Sequence, residues 1–192
     1  MDIPNAILRA LRLTLALWLI TVVVLTLPML GLARLVAPHQ AAGSLLRLDG
    51  QVVGSSLIGQ PFSSARYLQS RPSGNPNLAP SNPALVDQIG QNARRWRSLG
   101  LQHPAPELLE VSASGVDPHL GVAAARQQFP ALAKERGLPV DQLEALLRRH
   151  RQGPRSGAAI EPVVNVLAFN LELDHLNHRQ RVSQAGQAHQ GR

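Results

Sequence analysis

The sequence predicts an α+β fold: a single N-terminal transmembrane helix followed by one mixed α/β domain outside the membrane. Three observations support this fold class. Residues 13–33 form an uncharged run of about 21 residues, close to the ~20 that a bilayer-spanning helix requires. Later segments repeat apolar residues at helical spacing, and others have the alternation and turn residues of β-strands.

The uncharged run at 13–33 predicts a retained membrane anchor. A helix of this length spans roughly 31 Å, against a hydrocarbon core of ~30 Å. Arg12 and Arg34 flank the run and mark the two interfaces. A cleaved signal sequence and a buried core helix are the alternatives. Gly31-Leu32-Ala33 has the small residues of a cleavage site, but a signal's apolar region is usually ~7–15 residues.

The positive flanks predict the orientation, because Lys and Arg are retained on the cytoplasmic side. Arg9 and Arg12 precede the helix, whereas Arg34 follows it and Arg47 lies farther on. We therefore expect a cytoplasmic N-terminus at 1–12, a connector at 34–44 and an extracytoplasmic domain at 45–174. Residues 175–192 have little apolar content and are predicted to be a disordered tail.

The amino-acid composition and the absent motifs argue against several classes of function. The net charge is +7, but the charges are scattered and aromatic residues make up 3% of the chain, which argues against a nucleic-acid platform. There is no cysteine, which suits an oxidising compartment. The sequence shows no phosphate-binding loop and no paired metal-ligand spacing, so it offers no machinery for independent ATP hydrolysis.

The first half of the domain predicts a hairpin, a loop and a helix. Asp49-Gly50 joins strands at 45–48 and 51–58. Residues 71–83 contain four prolines and should lack regular structure. Asn82 and Pro83 are suited to cap and begin a helix that Gly100 closes. Its apolar stripe is Leu85, Ile89, Ala93 and Trp96.

The second half alternates short strands and helices. We predict a strand at 108–113, a turn at 114–119, a helix from Val122 that Pro130 interrupts, and a helix at 140–150. Apolar residues alternate at 167, 169, 171 and 173, so residues 162–173 are predicted to be the central strand of the sheet.

One polar cluster contains the residue types of nucleophilic catalysis: Ser112, Ser114, Asp117 and His119. Neighbours on a single turn rarely adopt the geometry of a catalytic triad. The favoured interpretation is structural, with Ser114-Gly115 forming the turn and Asp117 accepting backbone amides.

Taken together, the ordered segments resemble the C subunit of the Kdp-type potassium-transporting P-type ATPase. The matching pieces include NLAPSNP at 77–83, SASGVDPH at 112–119, EPVVNVL at 161–167 and Asn170-Leu171. They occur in the family's order over nearly the whole chain. The family-motif and candidate interface residues that this resemblance indicates are Ser81, Asn82, Pro83, Ser114, Gly115, Asp117, Pro118, His119, Glu161, Pro162, Asn165 and Asn170.

The resemblance implies an accessory, non-hydrolysing subunit in the bacterial inner membrane. Its expected partners are the potassium-translocating subunit, the ATP-hydrolysing P-type subunit and a small membrane subunit. It would assist assembly and act as a catalytic chaperone that raises the ATP affinity of the P-type partner. It would bind no cofactor independently and would meet ATP only through that partner.

Three segments depart from the family pattern: a shortened loop before Asn77, a shortened turn before Asp117, and Gly157-Ala158-Ala159-Ile160 ahead of Glu161. Two other functions stay open at this point. One is a secreted or anchored hydrolase that uses Ser114, Asp117 and His119. The other is a periplasmic binding module.

Overall fold

The computed structural model describes residues 3–153 and 161–177, and it confirms the predicted α+β class. The chain divides into two compact units, one up to residue 45 and one from residue 46 onward. The first unit is helical, and the second contains the packed mixture of helices and short strands.

The first unit is dominated by one long apolar helix. It consists of α1 (Ile3–Ile20), a π-helical segment (Thr21–Thr26) and α2 (Leu27–Val36), and the short α3 (Pro38–Ala41) follows. Pro4–Val36 contains an 18-residue stretch with a mean hydropathy of 2.4 and is the one helix of the described residues that is long and apolar enough to cross a membrane. This confirms the single predicted N-terminal apolar helix. The helix begins well before residue 13, so Arg9 and Arg12 lie within it.

Pro28 is accommodated by a local change of helix type. The π-helical segment ends two residues before it, and Leu27 N donates to Val22 O. Thr21 Oγ1 donates to Leu17 O at 2.9 Å. Proline lacks an N–H, and such local changes of hydrogen bonding are tolerated in a spanning helix.

The predicted hairpin is present. Strands β1 (Leu45–Leu48) and β2 (Gln51–Ser55) form a two-stranded sheet. Asp49 and Gly50 have φ of 49° and 80°, the pair of positive values that the two-residue hairpin turn requires. Strand β2 ends at Ser55, three residues earlier than predicted.

Helix α4 (Pro83–Ser98) begins where the sequence predicts. Asn82 Oδ1 accepts a hydrogen bond from Ala84 N at 3.0 Å, and Pro83 occupies the first helical position. The preceding residues 71–82 contain no helix or strand, as predicted. Trp96, the last residue of the apolar stripe, is buried.

The strand predicted at 108–113 is wrong. Pro106–Leu108 forms a 3₁₀ turn, and no strand follows it up to residue 118. Two side chains of α4 explain the difference. Trp96 Nε1 donates to Leu108 O at 2.9 Å, and Asn92 Nδ2 donates to Leu109 O at 2.8 Å. These carbonyls are therefore bonded by side chains instead of a neighbouring strand.

A three-stranded antiparallel sheet organises the second unit. It contains β3 (His119–Gly121), β4 (Arg151–Gln152) and β5 (Val163–Asn165), in the order β3-β5-β4. Val164 pairs with Leu120 on one side and Arg151 on the other. The predicted centre of the sheet is therefore confirmed.

The predicted length of that central strand is wrong, because residues 166–177 form a helix, α8. Asn165 Oδ1 accepts a hydrogen bond from Ala168 N at 3.0 Å, which caps the helix. Val166, Phe169 and Leu173 are all buried and follow helical spacing. Helix α8 also continues past residue 175, where the disordered tail was predicted to start.

Three further helices complete the core: α5 (Val122–Gln127), α6 (Phe129–Arg136) and α7 (Val140–His150). The predicted interruption near Pro130 falls at Gln128. Leu143, Leu146 and Leu147 of α7 are buried. The rings of Phe129 and Phe169 stack at 6.1 Å and join α6 to α8. The loose stretch predicted at 156–159 and most of the predicted tail lie outside the described residues.

Candidate functional site

The turn at 112–119 is stabilised by its own side chains. Gly115 N donates to Ser112 O at 2.9 Å, and Gly115 has a φ of 74°, which a residue with a side chain rarely adopts. Ser112 Oγ accepts from Asp117 N at 3.2 Å, and Ser112 is 4% exposed. The hydroxyl groups of this cluster therefore satisfy backbone amides within the turn.

Asp117 acts as a local acceptor. Its Oδ1 accepts a hydrogen bond from His119 N at 2.9 Å and lies 3.3 Å from His119 Nδ1. Pro118 O accepts from Val166 N at 3.0 Å, which connects the turn to the start of α8. The prediction that Asp117 accepts backbone amides is confirmed, and both ionisable side chains are about one-third exposed.

The geometry does not support a nucleophile and base at this turn. Ser114 Oγ accepts from Val116 N at 3.4 Å and lies 3.3 Å from Ser112 Oγ. None of the hydrogen bonds in the described part of the chain joins Ser114 to His119. A triad needs a hydrogen bond between nucleophile and base, so the hydrolase alternative gains no support from these side chains.

A second segment closes over the turn. Gly59 N donates to Val116 O at 2.6 Å, and a side chain at Gly59 would collide with Asp117 O. Arg71, which the sequence analysis did not select, lines the cleft between these segments. Its Nε is buried without a hydrogen-bond partner among the described residues. The cleft volume is about 10 Å³, roughly one water, and is too small for a nucleotide.

Three of the predicted site residues, Asn165, Glu161 and Pro162, form hydrogen bonds that connect β5 and the residues before it to other elements. Asn165 Nδ2 donates to Ser56 O at 2.7 Å, in addition to capping α8. Glu161 Oε1 accepts from Ala123 N at 3.1 Å, in the first turn of α5. Pro162 O accepts from Val122 N at 3.0 Å. The Asn165 bond holds the end of β2 against β5. The Glu161 and Pro162 bonds hold the start of α5 against the residues that precede β5.

Asn170 has a separate role, which pairs with that of Gln128. Asn170 Oδ1 accepts from Leu68 N, and its Nδ2 donates to Leu68 O, both at 2.9 Å. Gln128 Oε1 accepts from Gln69 N at 2.8 Å, and its Nε2 donates to Gln69 O at 3.1 Å. We call these four bonds the amide clamp. They satisfy the buried backbone of two consecutive residues that lie in no sheet.

A buried arginine, Arg136, connects Tyr67, the residue before the amide clamp, to helix α8. Arg136 Nη1 donates to Asp174 Oδ1 at 2.7 Å, and the Arg136 side chain is 3% exposed. Its guanidinium lies 4.6 Å from the ring centre of Tyr67, and Tyr67 Oη donates to Asp174 Oδ2 at 3.0 Å. Burial is the main cause that raises the pKa of Tyr67, and the hydrogen bond to Asp174 raises it further.

The predicted site residues therefore form separate groups. Ser114, Gly115, Asp117, Pro118 and His119 lie in the turn, and Asn165 lies at the start of α8. Ser81, Asn82 and Pro83 stand at the start of α4, where Asn82 caps the helix and Pro83 is its first residue. Asn170 belongs to the clamp. Gln128 and Arg136 carry no local sequence signal of these roles, because their partners lie 59 and 38 residues away in the chain.

Comparisons with known proteins indicate the same family that the sequence motifs resemble. Residues 7–175 match the family model described as KdpC: K⁺-transporting ATPase, c chain. The chain is 42% identical to the potassium-transporting ATPase KdpC subunit 1 of Nostoc sp., over 88% of this chain and 95% of that protein. It is 44% identical to the corresponding KdpC subunit of Methylibium petroleiphilum, over 88% of this chain and 97% of that protein. A Synechocystis sp. KdpC subunit is 42% identical over 86% of this chain and 96% of its own length.

Proposed function

The chain belongs to the KdpC family of K⁺-transporting ATPase c chains, and on that premise we propose that it is an accessory, non-hydrolysing subunit that raises the ATP affinity of its P-type partner. It would also assist assembly of the complex. The observation that carries the proposal is the extent of the match, which covers the apolar helix and the domain through residue 175.

Two features of the chain support a role without hydrolysis. The Ser114 hydroxyl is bonded within its own turn, and the cleft beside it has room for roughly one water. The polar residues of the family motifs instead join segments of the domain to one another. A domain that is built in this way is suited to dock as a rigid body on another polypeptide.

The proposed orientation limits how the chain could affect ATP. With Arg9 and Arg12 inside, the domain would lie outside, away from cytoplasmic nucleotide. Any effect on ATP affinity would then pass through the helix Pro4–Val36, or through a shift in the conformational equilibrium of the partner. Nucleotide would be held by the P-type subunit, and this chain would bind no cofactor of its own.

The proposed partners are the potassium-translocating subunit, the ATP-hydrolysing P-type subunit and a small membrane subunit. The helix Pro4–Val36 has no buried residue within its own unit, so its surface is available to lipid and to neighbouring helices. Helices in lipid associate through close packing and polar contacts more than through apolar burial.

Co-purification tests the proposal directly. The potassium-translocating subunit is tagged, expressed with this chain and the other subunits, and isolated from membranes in mild detergent. We expect this chain to be recovered in a fixed ratio to the tagged subunit. An unrelated single-pass protein expressed at the same level is the control. A well-expressed, membrane-inserted chain that never associates would overturn the proposed function.

Cysteine labelling tests the orientation, because the natural chain has no cysteine. A Gln91→Cys variant places a thiol on the exposed side of α4, and Asn5→Cys places one near the N-terminus. We expect a membrane-impermeant maleimide added to spheroplasts to label Gln91→Cys and to reach Asn5→Cys only after the membrane is lysed. The reverse pattern would contradict the proposed topology.

A further inference from the structure

The second unit contains a cavity that none of the candidate interface residues lines. Its volume is about 310 Å³, and it lies between the end of α4, the loop at 63–69 and the junction of α5 and α6. Ligand pockets start at about 300 Å³, and a water occupies ~30 Å³. The cavity therefore suits a small organic molecule of about ten non-hydrogen atoms.

Apolar groups form much of the wall. Trp96 is the largest of them, and its one polar side-chain atom is already bonded, because Nε1 donates to Leu108 O at 2.9 Å. The indole therefore presents no unsatisfied polar group. The other apolar residues of the lining are Ala65, Leu99, Leu101, Pro130, Ala131 and Leu132.

Arg95 is the one charged residue among the described residues that line the cavity. Its Nη2 donates to Gln69 Oε1 at 3.0 Å. A guanidinium has five N–H donors in a planar fork that matches a carboxylate. One bond to a neutral amide leaves donors for such a partner, and the positive charge is not neutralised by that amide.

The partner of Arg95 is itself held in place. Gln69 is 7% exposed, and its backbone is fixed by Gln128 in the amide clamp. Its Nε2 donates to Ser64 O and Tyr67 O at 2.9 and 3.0 Å. The acceptor for the guanidinium is therefore held in place before any ligand arrives, and the guanidinium also lies 5.8 Å from the centre of the Trp96 ring. Both contacts lower the entropic cost of binding.

The carbonyl groups at the end of α4 would otherwise oppose an anion. They are capped: Gly100, with a φ of 90°, donates from N to Arg97 O, and Leu101 N donates to Trp96 O, both at 3.0 Å. This pair of bonds is the Schellman motif, which satisfies the last carbonyls of a helix. Among the described residues, the lining also contains no carboxylate.

We propose that this cavity binds a small organic monoanion, a carboxylate with an apolar body. Arg95 binds the carboxylate, and the apolar body contacts the wall at Leu99, which is 45% exposed, and at the small accessible edge of Trp96. A single guanidinium matches a single negative charge. A nucleoside triphosphate is too large for the volume and would leave most of its charges unpaired.

Benzoate is the probe for the first test. The full-length Trp18→Phe variant in detergent has Trp96 as its remaining tryptophan, so fluorescence reports on the cavity wall. We expect a saturable change with benzoate, and affinities at least about tenfold weaker for benzamide and benzylamine, which lack the negative charge. Equal responses to benzoate and benzamide, or no saturable response to benzoate, would overturn the proposal.

Paired variants locate the binding. Arg95→Gln should weaken benzoate binding about tenfold or more, whereas Arg97→Gln, on the same helix end but outside the lining, should leave it unchanged. Because Arg95→Gln also alters the contact with Gln69, Ala131→Phe provides a second route. It fills the cavity from an exposed position and should abolish binding, while Lys134→Phe on the same helix should not. Undiminished binding by Ala131→Phe would refute the assignment.

Discussion

The apolar helix of the first unit and the core of the second unit use the same kinds of side chain in opposite surroundings. None of the residues of Pro4–Val36 is buried within its own unit, and Leu35 and Val36 are 83% and 77% exposed. In the second unit Leu120, Phe169 and Leu173 are 0% exposed. The core gains its stability from apolar burial within the domain, whereas the helix has no such burial within its own unit. Four substitutions test this difference, from the largest expected effect to the smallest.

The largest effect is expected for Val24→Arg. This substitution places a charge near the middle of the apolar helix, where it costs at least about 3 kcal/mol. We expect loss of membrane insertion and of potassium-limited growth that depends on the complex. Val36→Arg is the matched control at the helix end, close to the natural Arg34, and should insert normally. Normal growth with Val24→Arg would show that the helix does not need an apolar environment.

The next effect tests the core of the second unit. Phe169→Ala removes a ring that is 0% exposed and stacks on Phe129, so it should lower the free energy of unfolding by about 3–5 kcal/mol. Urea unfolding of the full-length chain in detergent, followed by tryptophan fluorescence, measures the loss. Val86→Ala, at a position that is 66% exposed, should change stability by about 0.5 kcal/mol or less. Similar losses for both variants would contradict the assigned core.

The amide clamp predicts an intermediate loss. Asn170→Ala leaves the buried N–H and C=O of Leu68 without partners, which should cost roughly 2–4 kcal/mol in the same unfolding experiment. Asn92→Ala is the matched control, because it removes one half-buried bond to Leu109 O and should cost about 1 kcal/mol. If the two asparagine variants are equally stable, the clamp does not hold the segment at 68–69.

The smallest effect is a pH dependence from His150. Burial lowers the pKa of His150, and Arg149 contributes in the same direction, while Glu172 opposes it. The unfolded chain then binds the proton more readily, so stability should be complete above pH ~6.5 and should decline as the pH falls below that value. His150→Gln should flatten this part of the pH profile, whereas His103→Gln, at an exposed position, should leave it in place.

Local signals made most of the helices predictable. The Asn82 cap, Pro83 and the apolar stripe of α4 all act within one helix, and the Asp49-Gly50 turn acts within one hairpin. The prediction of one strand over residues 162–173 was wrong because the apolar residues of this stretch fit both the period of a strand and the period of a helix. The helix from residue 166 is favoured by Asn165, whose side chain caps α8 and also binds Ser56 O, 109 residues away. No local pattern reports a bond of that separation.

The candidate site likewise contains some contacts that local sequence signals predict and others that they do not. Asp117 and His119 interact over two residues, so turn chemistry predicted the contact. Gln128 and Asn170 bind backbone groups 59 and 102 residues away, and an isolated glutamine or asparagine carries no signal of that role. Arg95 likewise looks like one more exposed charge on a helix until the fold places Gln69 beside it.

The central claim is that this chain acts on the ATP affinity of a partner without hydrolysing ATP itself. The most direct measurement is the ATP-concentration dependence of potassium-stimulated hydrolysis by the P-type complex, purified with and without this chain. We predict a lower apparent KM for ATP when the chain is present, and no hydrolysis by the isolated chain. An unchanged KM in a complex that contains the chain, or hydrolysis by the chain alone, would contradict the account.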